Sequence, residues 1–312
     1  MTTSTERIYI VGGTGNSGKQ AIRELLKAGV SVTALTRSPE AAAKHFSDLV
    51  SADKNNQHLL TLVQGNYDDM EPFKKSIQGH QRLLIIIHEP ISLGDNNYIE
   101  LKKTYASVAY NAGVKQVVDL SGMAAGRGWR TNFFANMAQT TEMALLELAN
   151  NQAPGGGRHY VALRPTQFMS NIIAFDGFGI REHGVVMDTS APDELHQWIS
   201  PNDVGSVAAG ILQDPIDKHK NAVYELVGDY VTPKDRTRYL SEALEREIVY
   251  KQVSYLERYK QLIGIGMPHL IAYTVSRCLG DGTTPTGLLS ILLGREPETL
   301  EHYIHSNKAA FL

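Results

Sequence analysis

Gly12, Gly15 and Gly18 recur three residues apart in the run Gly12-Gly13-Thr14-Gly15-Asn16-Ser17-Gly18. In a strand–turn–helix context each has a use: the first permits a tight turn, the second lets main chain approach a pyrophosphate, and the third lets helix pack on strand. The phosphates then rest on free N–H groups at the helix N-terminus, where the dipole favours negative charge. Gly13 to Lys19 also spells G-x-x-x-x-G-K, the phosphate loop of nucleotide triphosphatases. That loop needs a Ser or Thr next, to ligate Mg²⁺, and Gln20 stands there instead. The run therefore predicts a dinucleotide site.

Which dinucleotide is read at the end of the second strand. An acid there hydrogen-bonds the ribose 2′-hydroxyl of NAD, whereas an Arg accommodates the 2′-phosphate of NADP. Val30 to Thr36 ends in Arg37-Ser38-Pro39, with no acid before Glu40. NADP(H) is the expected cofactor. Contacts with it are expected from Gly12, Thr14, Gly15, Asn16, Ser17, Gly18, Arg37 and Ser38, and from Asn66, His88, Pro90, Ser121, Pro165 and Phe168 further along. Ser121, Glu142 and His88 are the polar candidates for handling a proton near the nicotinamide. Phe133, Phe134, Phe168 and Trp198 are candidate walls for a flat ligand, or simply core. No metal is expected.

The elements that must position these groups follow from hydrophobic pattern. Ile8 to Val11 is a β-prone run entering the glycines, and Ala21, Ile22, Leu25 and Leu26 recur at helical spacing behind them. Leu60 to Gly65 reads as a third strand, followed by Asn66-Tyr67-Asp68-Asp69 as turn and cap. Leu83 to Ile87 is a continuous apolar run, as in a strand covered on both faces. It ends at His88-Glu89-Pro90. A helix from Tyr98 to Asn111, a strand from Gln116 to Leu120, a helix from Phe133 to Asn150 and a strand from Tyr160 to Arg164 follow, with a Pro154-Gly155-Gly156-Gly157 loop before the last. Strand–helix alternation predicts an α/β fold: a Rossmann-type doubly wound parallel sheet over residues 1–165. Residues 166–312 are expected to form a smaller, mostly helical substrate subdomain packed on that core and partly interleaved with it. Within it Gly184 to Met187 and Ala222 to Leu226 read as strands. Asp203 to Leu212, Lys234 to Glu245 and parts of Ser254 to Leu293, broken by Pro268 and Pro285, read as helices.

The 312 residues are 42% hydrophobic and 20% charged, with net charge −3, which describes an ordinary globular protein and not a binder of nucleic acid backbones. The single cysteine, Cys278, excludes an internal disulfide and reads as a small buried hydrophobe. The N-terminus has no apolar signal region and no run approaches membrane-spanning length, so a cytoplasmic protein is expected.

Several stretches together resemble the NmrA-like branch of the atypical short-chain dehydrogenases. They are Gly12 to Gly18 with Arg37, Ala112 to Val118 leading to Ser121, Ala162-Leu163-Arg164-Pro165-Thr166-Gln167-Phe168-Met169-Ser170-Asn171, Ile199 to Gly205, and Leu293 to Ile304. The resemblance implies this fold and cofactor and two kinds of activity. Some members, similar to quinone reductases and isoflavone-reductase-like enzymes, move hydride from NADPH to a small acceptor. Others bind the dinucleotide with little turnover and control a protein partner. Short-chain dehydrogenases usually use Tyr-x-x-x-Lys, in which lysine lowers the tyrosine pKa. Here the Phe133–Asn150 helix has neither residue, the family's lysine position falling near Met137, Ala138 or Gln139. The expectation is an oxidoreductase acting on an apolar, quinone-like or carbonyl acceptor without that pair, the alternative being a redox sensor. Acceptor, oligomeric state and any protein partner are left open.

Overall fold

The computed structural model describes residues 6–52, 58–87, 95–151, 157–276 and 288–312. His88, Glu89, Pro90, Pro154, Gly155, Gly156, Cys278 and Pro285 lie outside the described residues. The chain opens with β1 (Arg7–Val11), α1 (Asn16–Lys27), β2 (Ser31–Thr36), α2 (Pro39–Lys44), α3 (Ser47–Ala52), β3 (Leu60–Gln64), α4 (Glu71–Ser76) and β4 (Arg82–Ile85). It continues through α5 (Asp95–Asn111), β5 (Gln116–Leu120), α6 (Phe133–Asn150), β6 (His159–Pro165), β7 (Gln167–Phe168), α7 (Asn171–Phe175), α8 (Gly177–His183) and β8 (Val185–Asp188). Then come β9 (His196–Ile199), α9 (Pro201–Gln213), α10 (Ile216–His219), β10 (Val223–Leu226), β11 (Asp229–Val231), α11 (Pro233–Leu244) and β12 (Val249–Gln252). The last helices are α12 (Tyr255–Gly264), α13 (His269–Ser276), α14 (Leu289–Leu293) and α15 (Leu300–Ser306).

Seven strands form one sheet in the order β10-β6-β5-β4-β1-β2-β3. β1 from Ile8 onward, β4 and β5 are buried along their length, as their apolar runs require when helices cover both faces. Neighbours from β3 to β6 pair in parallel. The Ala162 and Thr166 N–H groups donate to Ala222 and Leu226 carbonyls, residue numbers advancing together, so β10 runs the same way. Val11 is level with Leu35 and Ile85, Ile85 with Asp119, and Leu120 with Leu163. Gly12, Arg37 and Ser121 consequently leave the sheet at one carboxyl edge, where Arg164 stands near the end of β6. Strand order reverses between β1 and β4, and such a switch point is where open α/β sheets bind ligands.

The chain makes two compact units. The first comprises Met1–Trp129, Ala135–Arg164 and Val204–Glu225, and the second Arg130–Phe134, Pro165–Asp203 and Leu226–Leu312. Pro165–Asp203 belongs to the second unit, and 204–225 returns to the first. Two contacts explain this. β10 is hydrogen-bonded to β6, and a Cβ on Gly205 of α9 would lie 2.4 Å from the Ser17 carbonyl oxygen, so α9 sits almost against α1. The second unit contains helices and also the sheets β11-β9-β7 and β12-β8. Their strands are too short to show alternation in the sequence. Its core gathers Met169, Ile180, Trp198, Leu240, Ile304 and Phe311.

Two buried histidines tie stability to pH. His80 Nδ1 lies 3.0 Å from the Ile77 carbonyl oxygen and Nε2 2.8 Å from Thr33 Oγ1. The carbonyl can only accept, so Nδ1 carries the hydrogen and Nε2 accepts from Thr33. Burial lowers the pKa of His80, and of His196 in the second unit, below the ordinary 6.5. Between those lowered values and 6.5 the unfolded chain binds more protons, so stability rises with pH there. Their contribution is complete above pH 6.5 and is lost as pH falls through the folded values. The melting temperature should drop from pH 7.5 to 5.5, and His80→Gln should flatten that slope. An unchanged slope would remove His80 from the account.

Candidate functional site

The glycines of the loop divide its labour among them. Gly12 takes φ +86°, and a Cβ on it would lie 1.9 Å from the Ile86 carbonyl oxygen. A Cβ on Gly18 would meet the Gly12 carbonyl oxygen at 2.3 Å, and one on Gly13 would meet Ile22 Cδ1 at 2.8 Å. These three are glycine because protein occupies the space. Gly15 differs: an added Cβ meets only the Gly12 carbonyl oxygen, at 3.4 Å. It is the exposed N-cap of α1, with no side-chain cap, flanked by exposed Thr14 and Asn16. Its carbonyl accepts the Lys19 N–H at 2.8 Å, which leaves the first-turn N–H groups of Asn16, Ser17 and Gly18 without an intrahelical acceptor. An anion has room to approach at Gly15 alone, and donors meet it there. Gln20, where a triphosphatase needs a hydroxyl, donates to Glu24 Oε1 at 2.8 Å and Ser206 Oγ at 3.4 Å.

At the end of β2, Arg37 is exposed and its guanidinium makes no hydrogen bond or ion pair with another described residue. Ser38 is the N-cap of α2, a helix the sequence reading missed, and its Oγ accepts the Ala41 N–H at 3.4 Å. Pro39 at the first turn suits that start, since its absent N–H would be an orphan there. Asn66 follows β3, and its Oδ1 accepts the Asp68 and Asp69 N–H groups, each at 3.0 Å. The side-chain N–H groups of Asn66 are what this turn leaves for a ligand.

On the other side of the switch point, Ser121 follows β5, with its N–H on the Leu163 carbonyl at 2.8 Å. Its hydroxyl donates to Glu142 Oε1 from α6. Arg164, from the end of β6, grips the same carboxylate with Nε on Oε1 at 3.0 Å and Nη2 on Oε2 at 2.7 Å. Those hydrogen bonds to Glu142 hold Arg164 above its ordinary pKa. Two of the three candidate proton-handling groups thus meet, with an arginine that the sequence reading did not assign. Beneath them, Lys102 from α5 places Nζ 2.8 Å from Asp119 Oδ1 and donates to the Leu120 carbonyl at 2.7 Å. Tyr160 donates to Asp119 Oδ2 at 3.4 Å. Burial pushes the Asp119 carboxyl up, while the Lys102 ammonium draws it back. Burial alone would lower Lys102, but the Asp119 carboxylate and Tyr98 together outweigh it and leave its pKa raised. Lys102 and Asp119 are 0% exposed, so they fix the end of β5 and reach no ligand.

On α6, Met137 and Ala138 are buried, and Gln139 donates to the carbonyls of Ala125, at 3.3 Å, and Arg127. Pro165 ends β6 and Phe168 lies on β7, both in the second unit. Trp198 is 1% exposed, under the Arg236 guanidinium, and is core, not a ligand wall. Phe133 and Phe134 stack edge to face at 5.5 Å and are half-buried. His88 and Pro90 lie outside the described residues. Among the described residues, no helix is long and apolar enough to cross a membrane.

The reversed strand order, the glycine turn into α1 and the parallel pairing define a Rossmann-type α/β fold. The chain belongs to the NmrA-like family, whose model matches residues 4–303. It is 22% identical over 310 residues to an NAD(P)H azoreductase of Xenophilus azovorans, covering 97% of this chain and 99% of that one. Among solved structures it is similar to an NADPH-dependent quinone oxidoreductase from Escherichia coli complexed with NADPH, at 24% identity and TM-score 0.75, over 96% of this chain and 99% of that one. It is also similar to the Citrobacter sp. triphenylmethane reductase, at 20% identity and TM-score 0.74, over 98% and 99%.

Proposed function

We propose that this chain binds NADP(H) across the carboxyl edge of its sheet and passes hydride to a small apolar acceptor of azo, quinone or carbonyl type. The observation that carries the cofactor is Arg37, an exposed cation without a protein partner among the described residues, beside a loop built to admit a pyrophosphate. Resemblance over nearly the full length to a named azoreductase supports the acceptor class. When bound, the cofactor supplies hydride. Since α6 holds neither Tyr nor Lys, the balancing proton comes from water, which suits acceptors that need no acid to polarise them. Thr14 and the α1 amides hold the pyrophosphate, Arg37 and Ser38 the 2′-phosphate, and Asn66 the adenosine side.

Arg37→Ala should weaken NADPH binding by about 10- to 100-fold, the worth of a charge-assisted contact, and leave NADH nearly unchanged. Equal losses would overturn the phosphate role. Acceptor-dependent NADPH oxidation across azo dyes, quinones and aldehydes tests the activity. Tight binding with no oxidation by any of them would favour the sensor reading, which the missing Tyr/Lys pair supports.

A further inference from the structure

We infer that Ser121 serves the cofactor as a fixed hydrogen-bond acceptor, its hydrogen held by the Glu142 carboxylate that Arg164 grips, and takes the carboxamide N–H of the nicotinamide. This rests on the proposed NADP(H) reading. Arg164 forks onto both oxygens of Glu142 at 3.0 and 2.7 Å, the bidentate geometry of a guanidinium–carboxylate pair. An ionised carboxylate only accepts, so the contact between Ser121 and Glu142 Oε1 uses the serine's hydrogen. A hydroxyl has one hydrogen and two lone pairs. What Ser121 presents elsewhere is therefore an acceptor.

The surroundings keep that acceptor in place and accessible. The backbone is pinned on one side by the Ser121 N–H on Leu163 and on the other by Lys102 on the Leu120 carbonyl. Ser121 is half-buried, and a Cβ on the adjoining Gly122 would meet nothing within 4 Å. Arg37 and the phosphate loop mark the adenosine half of the sheet, over β1 to β3. β5 lies beyond the switch point, in the half that receives the nicotinamide. A developing oxyanion on an acceptor substrate would find no donor at Ser121. An N–H would find its partner, and the carboxamide is the N–H of a nicotinamide.

The test is a cycle with NADP⁺ and its 3-acetylpyridine analogue, which keeps the carbonyl but replaces NH₂ by CH₃. Binding of each is measured by calorimetry, so the result does not depend on turnover. Wild-type protein should prefer NADP⁺, and Ser121→Ala should weaken NADP⁺ about three- to tenfold, one neutral hydrogen bond, while leaving the analogue unchanged. The unchanged analogue affinity also reports an intact fold. Ser121→Thr, which retains the hydroxyl, should retain the preference. If Ser121→Ala weakens both ligands equally, or neither, the acceptor role is overturned. Wild-type protein that binds neither dinucleotide overturns the cofactor reading and this inference with it. A binding cycle as predicted with no acceptor reduced would leave the inference standing and refute only the reductase.

Discussion

Gly15→Val should leave a folded protein that binds NADPH about a hundredfold more weakly, or not measurably. The site at Gly15 has ordinary backbone angles, φ −71° and ψ 168°, and one neighbour at contact distance. Valine there costs about 1 kcal/mol as a poor N-cap, well within what a domain tolerates. Its methyl groups, however, stand where the anion must lie to reach the α1 amides. Losing two charge-assisted hydrogen bonds weakens binding by about 3 kcal/mol. Gly12→Ala gives the opposite pattern. Its Cβ would be driven into the Ile86 carbonyl, from a left-handed φ of +86°. A loss on the order of 4 kcal/mol is expected, because backbone and not a movable side chain is in the way. Urea unfolding and NADPH titration of the two variants separate the roles. Undiminished binding by Gly15→Val would remove the loop from the site.

Lys102→Met should be the most damaging single change on the far side of the sheet. It leaves Asp119 0% exposed without a counter-charge and the Leu120 carbonyl without its donor. Breaking a buried pair from one side costs about 3–5 kcal/mol. Exchanging both, as Lys102→Met with Asp119→Leu, should recover most of that loss, since no charge is then stranded. The deficit of the single variant should also shrink at low pH, where Asp119 can take up a proton. Denaturant midpoints of the two variants decide the matter. A Lys102→Met protein as stable as wild type would show that the pair is not charged in the folded state.

Much of this protein was determined by sequence alone, and for a local reason. The strand, the glycine turn and the amphipathic α1 are neighbours in the chain, so their spacing is their geometry. The same holds for Arg37 at the end of β2 and for the Asn66 turn, whose Oδ1 bonds lie two and three residues away. Repeated strand–helix alternation then dictates a parallel sheet, because parallel neighbours need a crossover. Short helices such as α2 escaped, since their few residues carry no full period, although Ser38-Pro39 was a cap signal.

Tertiary structure decided the rest. Ser121, Glu142 and Arg164 come from three elements, and only the pairing of β5 with β6 beneath α6 unites them. Asp119 inside the apolar Gln116–Leu120 strand was a legible oddity, but its partners Lys102 and Tyr160 could not be named from spacing. Trp198, an aromatic that the sequence offers as a candidate wall or as core, is core under Arg236. Gly205 is the sharpest case: nothing local requires a glycine within α9, and only the approach of that helix to the Ser17 carbonyl does. Local periodicity fixes elements, while the identity of long-range partners depends on how those elements pack, which no spacing along the chain encodes.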